Sequence, residues 1–268
     1  MTRAVGEVPI WPESAYLCPI GKAPDGIRAF THLATLKPPN AALCRGYVKH
    51  YPDNAAKGLF NEWFGYILMR ALGVPQPQAA IMKAPVYGLP KSPMAWAFVS
   101  CQPTPTFDGT PNQLYNIDKP EQHAQLVKRL FNCTAMPLLI AADQFLINGD
   151  RNLGNLVFTG KSSFVAIDHG DILSGCNWAQ GDLAYTSQWI NSKLLEQLVP
   201  MDQIKPATRS AIFACAQLVT GAFYEAQLEI QKTMNYKESV DVSAALDAVW
   251  WRCAPIAQWF KERLELLA

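Results

Sequence analysis

No uninterrupted apolar run reaches the ~18 residues that a membrane-spanning helix needs. The opening residues, MTRAVGEVPIWPES, lack the apolar segment of a secretion signal. Neither sign of charge is in excess: Lys and Arg total 23, Asp and Glu 22. That balance argues against nucleic acid as the main partner, because phosphate backbones are bound through a net basic face. The seven cysteines, at positions 18, 44, 101, 133, 176, 215 and 253, form no C-x-x-C pair and are odd in number. They do not read as a disulfide framework, and reduced thiols in a cytoplasmic protein are expected. No G-x-G-x-x-G fingerprint, internal repeat or low-complexity block is present. His169 has no second His or Cys at ligand spacing, so it reads as a packing or backbone-bonding residue and not as a metal ligand.

What remains is a chain of 268 residues, 50% hydrophobic, long enough for one large domain or for two lobes sharing a cleft. Its most informative stretch is LIAADQFLINGDRNLGNLVFTGKSSFVAIDHG, residues 139–170. An apolar helical run over 136–147 stops at Asn148-Gly149. Asp150-Arg151 and Asn155 follow on a loop. Two short apolar runs, 156–158 and 164–167, flank a Gly160-Lys161 turn and predict a β-hairpin. Asp168-His169-Gly170 closes it. The hairpin returns Asp168 to the neighbourhood of Asp150 and Asn155. One carboxylate then orients a hydroxyl or takes its proton, while an amide oxygen and a second carboxylate offer hard oxygen ligands to Mg²⁺. That division of labour is the one phosphoryl transfer requires. The five-residue step from Asp150 to Asn155 matches D-x-x-x-x-N, and Asp168-x-Gly170 matches D-x-G.

Upstream, residues 1–14 predict an irregular arm whose Trp11-Pro12 docks on the body or meets a partner. Residues 15–48 predict a small, antiparallel sheet of short strands and turns. The turn over 21–26 is open to two readings, a loop over phosphates or an ordinary hairpin. A strand over 43–50 carries Lys49. Thirteen residues on, Glu62 lies in KGLFNEWFGYILMRALGV, an amphipathic helix stopped by Gly73. A strand lysine braced by a helix glutamate aims an ammonium at nucleotide phosphates. Further strands are expected over 79–83 and 94–100. The Pro-rich residues 102–106 then mark a lobe boundary. Backbone groups of Val99, Ser100, Cys101 and Gln102 are where an adenine ring would bond, although an ordinary linker fits that stretch equally.

Helices are expected over 122–132, 134–147, 178–199, 205–233 and 241–267. Trp250, Trp251 and Trp259 read as core or helix contacts. Asp171 and Asp182 are assigned no catalytic role, and Asp182 suits a helix cap.

Together these residues resemble the HipA-like kinase family, within the protein-kinase-like superfamily that includes phosphatidylinositol 3- and 4-kinases. The resemblance is carried by Tyr47-Val48-Lys49, Asn61-Glu62 with Leu72-Gly73-Val74-Pro75, 149–155, and Ile167-Asp168-His169-Gly170, and covers about residues 15–175. It implies that Lys49 binds ATP phosphates, Glu62 braces it, Asp150 is the catalytic aspartate, and Asn155 with Asp168 holds Mg²⁺. Arg151 follows the catalytic Asp, as in this branch. Asn152 stands where the lipid-kinase motif has His. A glycine-rich nucleotide loop and an A-P-E segment are missing.

The expected fold is α+β and two-lobed. A β-rich N-lobe (15–106) of nucleotide-binding sheet plus one helix sits over a larger helical C-lobe (107–268). The expected activity is ATP- and Mg²⁺-dependent transfer of a γ-phosphoryl group to a hydroxyl acceptor, with protein Ser/Thr as the family-implied choice. A small-molecule or lipid kinase, and a non-catalytic nucleotide-binding pseudokinase, are the alternatives.

Overall fold

The computed structural model describes residues 10–23, 28–88, 93–103, 109–183, 204–233 and 239–264, together with Leu194 and Leu198. The N-terminal half is a five-stranded sheet: β1 (Tyr16–Lys22), β2 (Phe30–Leu36), β3 (Cys44–His50), β4 (Ala79–Pro85) and β5 (Met94–Cys101). Its order is β1-β2-β3-β5-β4, with every neighbouring pair antiparallel. Between β3 and β4 runs α1 (Gly58–Ala71), and β4 lies at the outer edge because β5 pairs with β3 on one side and β4 on the other.

Alternation along the strands divides the side chains between two cores. On β3, Val48 points into a small cluster with Ala34, Leu36, Ala80, Met82 and Val99. Residues 1–9 of the expected arm lie outside those described, and Trp11 closes this cluster. Trp11 is 2% exposed, and its N–H donates to the Ile81 carbonyl at 3.0 Å. The expected docking of Trp11 is therefore onto the body. The neighbouring β3 side chain, Lys49, points the other way, towards α1.

α1 is apolar on nearly all sides because it is wedged between the sheet and the helical half. Phe64, Ile67 and Met69 are fully buried, and Tyr66 meets Phe98 of β5 edge-on at 6.1 Å. Each such side chain contributes roughly 1.5–3 kcal/mol on leaving water. Two polar residues, Asn61 and Glu62, are equally buried in this helix. Polar groups in such a place require partners.

The helical half comprises α2 (Pro111–Leu114), α3 (Pro120–Phe131), α4 (Met136–Phe145), α5 (Gln180–Leu183), α6 (Pro206–Thr233), α7 (Ser239–Cys253) and α8 (Pro255–Arg263). Between α4 and α5 lies the hairpin β6 (Leu156–Gly160) and β7 (Ser163–Ala166). α4 packs on α6, and one large core runs from α1 through α4 into α6, α7 and α8. The chain thus has an α+β architecture, a small antiparallel sheet followed by a larger helical part.

Four expectations are adjusted. The single helix over 241–267 is two, because Pro255 opens a new helix after Ala254. Of the helix expected over 178–199, residues 178–183, Leu194 and Leu198 fall among those described, and Trp178 and Ala179 precede the helix Gln180–Leu183. Part of the 21–26 turn lies outside the described residues, and Gly21 and Lys22 belong to β1. Trp251 is not a core residue; it is 75% exposed, whereas Trp250 packs against Phe223 and Tyr224.

Candidate active site

Lys49, Glu62 and Asp168 meet between the sheet and the helical half. The Lys49 ammonium lies 2.6 Å from Glu62 Oε1 and 3.0 Å from Asp168 Oδ1. Glu62 has no exposure, and each of its oxygens is engaged. Oε1 accepts from Lys49 and from the Tyr51 hydroxyl at 2.9 Å, and Oε2 accepts from the His169 backbone N–H at 2.9 Å. Desolvation works to lower the Lys49 pKa, but the Asp168 and Glu62 carboxylates outweigh it and raise it above its ordinary value. Burial raises Glu62 against the pull of Lys49. For Asp168, desolvation pushes upward, but Lys49 first and Arg151 after it hold the carboxyl at about 2. Asp168 is therefore ionised at neutral pH. Its backbone is left-handed, φ 64°, a conformation that a non-glycine residue adopts only when its surroundings hold it there.

Tyr51 reaches Glu62 through a slot built by glycines. A Cβ at Gly58 would sit 2.0 Å from the Tyr51 ring, and one at Gly170 would sit 2.6 Å from its hydroxyl. Burial, then the charges of Glu62 and Asp168, push the phenol well above 10, so it stays a donor. Asn61 fixes the next stretch of chain. Its amide nitrogen donates to the carbonyls of Gly170, Ile172 and Gly175 at 2.7, 3.0 and 2.9 Å, and its oxygen accepts from the Trp178 indole at 3.0 Å. The D-x-G segment is thereby tied to α1 from both Asn61 and Glu62.

On the other side of Asp168 stands a drier network. Arg151 is fully buried, and its Nε donates to both oxygens of Asp143, each at 3.0 Å. Asp143 also accepts from the Asn148 amide at 2.9 Å. Arg151 then reaches the carbonyls of Ile167, Asn155 and Asp168, and donates to His169 Nδ1 at 3.0 Å. A guanidinium has no acceptor, so Nδ1 carries the lone pair and the His169 proton sits on Nε2. Nε2 donates to Gln76 Oε1 at 2.7 Å, and the Gln76 amide donates to the Tyr66 carbonyl at 2.9 Å. Burial, then Arg151, hold His169 well below 6.5, and it is neutral. Burial pushes Asp143 up to about 6 against Arg151. Arg151 thus staples the Asp150 loop to the end of β7.

Asp150 sits half-buried at the head of that loop. Ile147, β-branched and left-handed at φ 57°, turns the chain out of α4 just before it. The Asp150 carbonyl accepts from the Asn152 amide at 2.9 Å and the Asn155 amide at 3.4 Å. The Asn152 oxygen caps the short turn Leu153–Asn155 by accepting from the Gly154 N–H at 2.8 Å. The Ile167 N–H donates to the Asn155 carbonyl at 3.0 Å, which holds the loop beside Asp168.

Among the described residues no three His, Cys, Asp or Glu side chains gather into a metal cluster. The carboxylate of the ionised, half-exposed Asp168 and the side-chain amide oxygen of Asn155 are oxygen donors of the kind that Mg²⁺ takes. His169 has both ring nitrogens committed and is not a ligand.

Val99, Ser100 and Cys101 form the end of β5, between β3 and β4. The Cys101 N–H donates to Gln78 O at 2.8 Å and the Gln102 N–H to Arg45 O at 2.7 Å, so both donors serve the sheet. Asp182 caps α5, its carboxylate accepting from the Ala179 N–H at 2.7 Å. From the β1–β2 turn, Arg28 reaches across to Asp171, with Nε 3.8 Å from the carboxylate. Arg28 also borders a cavity of about 700 Å³ at the tip of the sheet, with Lys22, Thr31, His32, Asn54 and Tyr87. Lys49, Glu62, Asp150 and Asp168 are not among the residues lining it.

Sequence reasoning missed Tyr51, Gln76, Asp143 and Trp178, and left Arg151 without a role. Asp143 carried a signal, a carboxylate inside an otherwise apolar helical run. The others did not.

The fold defines a class, the kinase-like two-part architecture. No protein-family profile matches the sequence, and no curated protein matches it. Among solved structures the chain is similar to the Helicobacter pylori proinflammatory kinase CtkA. The TM-score is 0.58 and the identity 14%, over 97% of this chain and 100% of that one. A likeness at this identity is a likeness of fold.

Proposed function

We propose that the chain is an ATP- and Mg²⁺-dependent kinase of the HipA-like type that phosphorylates a hydroxyl, most plainly a protein Ser or Thr. One observation carries this reading. A strand lysine, a helix glutamate and the aspartate of a D-x-G segment are in direct contact, and a buried arginine ties that segment to the loop bearing Asp150 and Asn155. In this reading Lys49 binds the phosphates and Glu62 holds its ammonium in place. Asp150 orients the acceptor hydroxyl and takes its proton. Asn155 and Asp168 would hold Mg²⁺, which supplies neutralisation of the charge on the phosphate oxygens. Val99, Ser100 and Cys101 form the strand against which adenine would lie.

The test is Asp150→Ala, assayed for phosphate transfer and separately for nucleotide binding. Transfer is expected to fall by roughly 10²–10⁴-fold, the range for losing a positioned acid or base, with nucleotide affinity kept. Full transfer activity in this variant would remove Asp150 from its role.

A further inference from the structure

We propose that Cys44 and Cys101 form a modification site, a thiol pair that closes reversibly to an intramolecular disulfide between the start of β3 and the end of β5. Their sulfurs lie 2.7 Å apart, well inside ordinary non-bonded contact between sulfurs and a short movement from the ~2.05 Å of a covalent bond. No other two cysteine sulfurs are in contact among the described residues. The sheet sets up the approach. Gly46 stands opposite Cys101 in the β3–β5 register, and a Cβ at Gly46 would lie 2.9 Å from the Ser100 carbonyl, so the two strands pack closely there. The Cys101 N–H is held by Gln78 O and the Gln102 N–H by Arg45 O, which fixes the backbone beside both sulfurs.

The two thiols differ in access. Cys101 is buried and Cys44 half-buried, so Cys44 is the sulfur that meets a reagent from solvent. Burial and the bond to Cys44 push the Cys101 thiol up, which keeps it protonated until it is called on. The oxidant is a low-molecular-weight disulfide, RSSR. Cys44 as its thiolate attacks one sulfur of RSSR, forming a mixed disulfide and releasing RS⁻, which takes up the proton that Cys44 gave up. Cys101 then loses its proton to the medium and attacks the Cys44 sulfur, expelling the second RS⁻, which is protonated in turn. The protein is oxidised by two electrons and loses two hydrogens, and RSSR is reduced to two RSH. The bond would close a 57-position span and cross-link the start of β3 to the end of β5. The cross-link does not depend on the proposed kinase activity, and its test contains no nucleotide.

The full chain is treated in its native state with glutathione disulfide at neutral pH, quenched in acid, alkylated, and digested without reductant for mass spectrometry. The expected product is one linked peptide pair, Cys44 with Cys101, lighter by two hydrogens than the separate peptides, with the other five cysteines alkylated. The melting temperature rises by roughly 5 °C or more, and dithiothreitol reverses both changes. In Cys44→Ser, whose unoxidised melting temperature matches the parent, no linked pair forms and the temperature does not rise. Cys101→Ala gives the same outcome from the buried side. Three results overturn the proposal: separate alkylation of Cys44 and Cys101 after oxidation, a stable glutathione adduct on Cys44, or linkage of either cysteine to a different one.

Discussion

Two polar clusters meet at Asp168, and they differ in their access to water. On the sheet side, the Lys49 side chain is 16% exposed and that of Asp168 46%. On the helical side, Arg151 is 0% and Asp143 1% exposed. A cation paired with carboxylate, Lys49 with Glu62 and Asp168 in one and Arg151 with Asp143 in the other, does different work in the two places. A buried pair has no route to a ligand, and its directed bonds can only fix backbone, here the Asp150 loop and the end of β7. A pair at the edge of water can exchange partners. The dry cluster sets geometry, and the wet cluster is the one open to water.

That contrast gives graded expectations. The largest effect falls on activity. In the proposed kinase, Asp168→Asn lowers phosphate transfer by roughly 10²–10³-fold, with a melting temperature within a few degrees of the parent, because the side chain is half in water. A large loss of stability with activity retained would reverse the assignment of the two clusters. Next comes Arg151→Met, which strands the Asp143 carboxylate in the core and costs about 3–5 kcal/mol in urea unfolding. A double variant that also replaces Asp143 by Leu is expected to recover much of that loss. An Arg151→Met protein as stable as the parent would break the comparison.

The third expectation concerns acid. The His169 pKa is depressed well below 6.5 in the fold, while the unfolded chain protonates near that value. Below pH 6.5 the unfolded state takes up a proton that the folded state refuses. Stability therefore falls as pH falls, by about 1.4 kcal/mol per unit for one such group. His32, lowered to about 4 by burial and then by His50, and His50, lowered by burial, act in the same direction. Glu62 and Asp143, both raised by burial, oppose them at lower pH. Urea midpoints of the parent and of His169→Asn, followed from pH 7 to pH 5, isolate one histidine. The parent should show the steeper decline, and equal slopes would take His169 out of the acid response. The smallest effect is Tyr51→Phe, about 1–2 kcal/mol for one hydrogen bond to a charged group. It is read by thermal unfolding, and a change below a few tenths would show that Tyr51 serves only to fill its slot.

Much of the helical-side geometry was legible because its parts are close in the chain. Asp150, Asn155 and Asp168 are separated by one loop and one hairpin, and hairpin pairing follows from local alternation and a turn. Lys49 and Glu62 are joined by a short turn between a strand and a helix, each with its own pattern. The bond from His169 to Gln76 spans 93 positions and the one from Trp178 to Asn61 spans 117, and no periodicity in the sequence announces either. Trp251 shows the opposite error. A large aromatic in a helix reads as core, yet burial depends on which face another element covers, and none of the described elements covers this one.

The sequence by itself determined the element types, the order of sheet then helices, and the oxygen-bearing side chains at 150, 155 and 168, because local pattern and short-range spacing are written directly in residue order. Tertiary structure alone decided the partners of the buried polar groups: Tyr51 in its glycine slot, Asp143 on Arg151, Gln76 on His169, Cys44 against Cys101. A buried donor or acceptor must find a mate wherever packing happens to bring one, and packing is settled by the shape of the whole chain, not by any stretch of it.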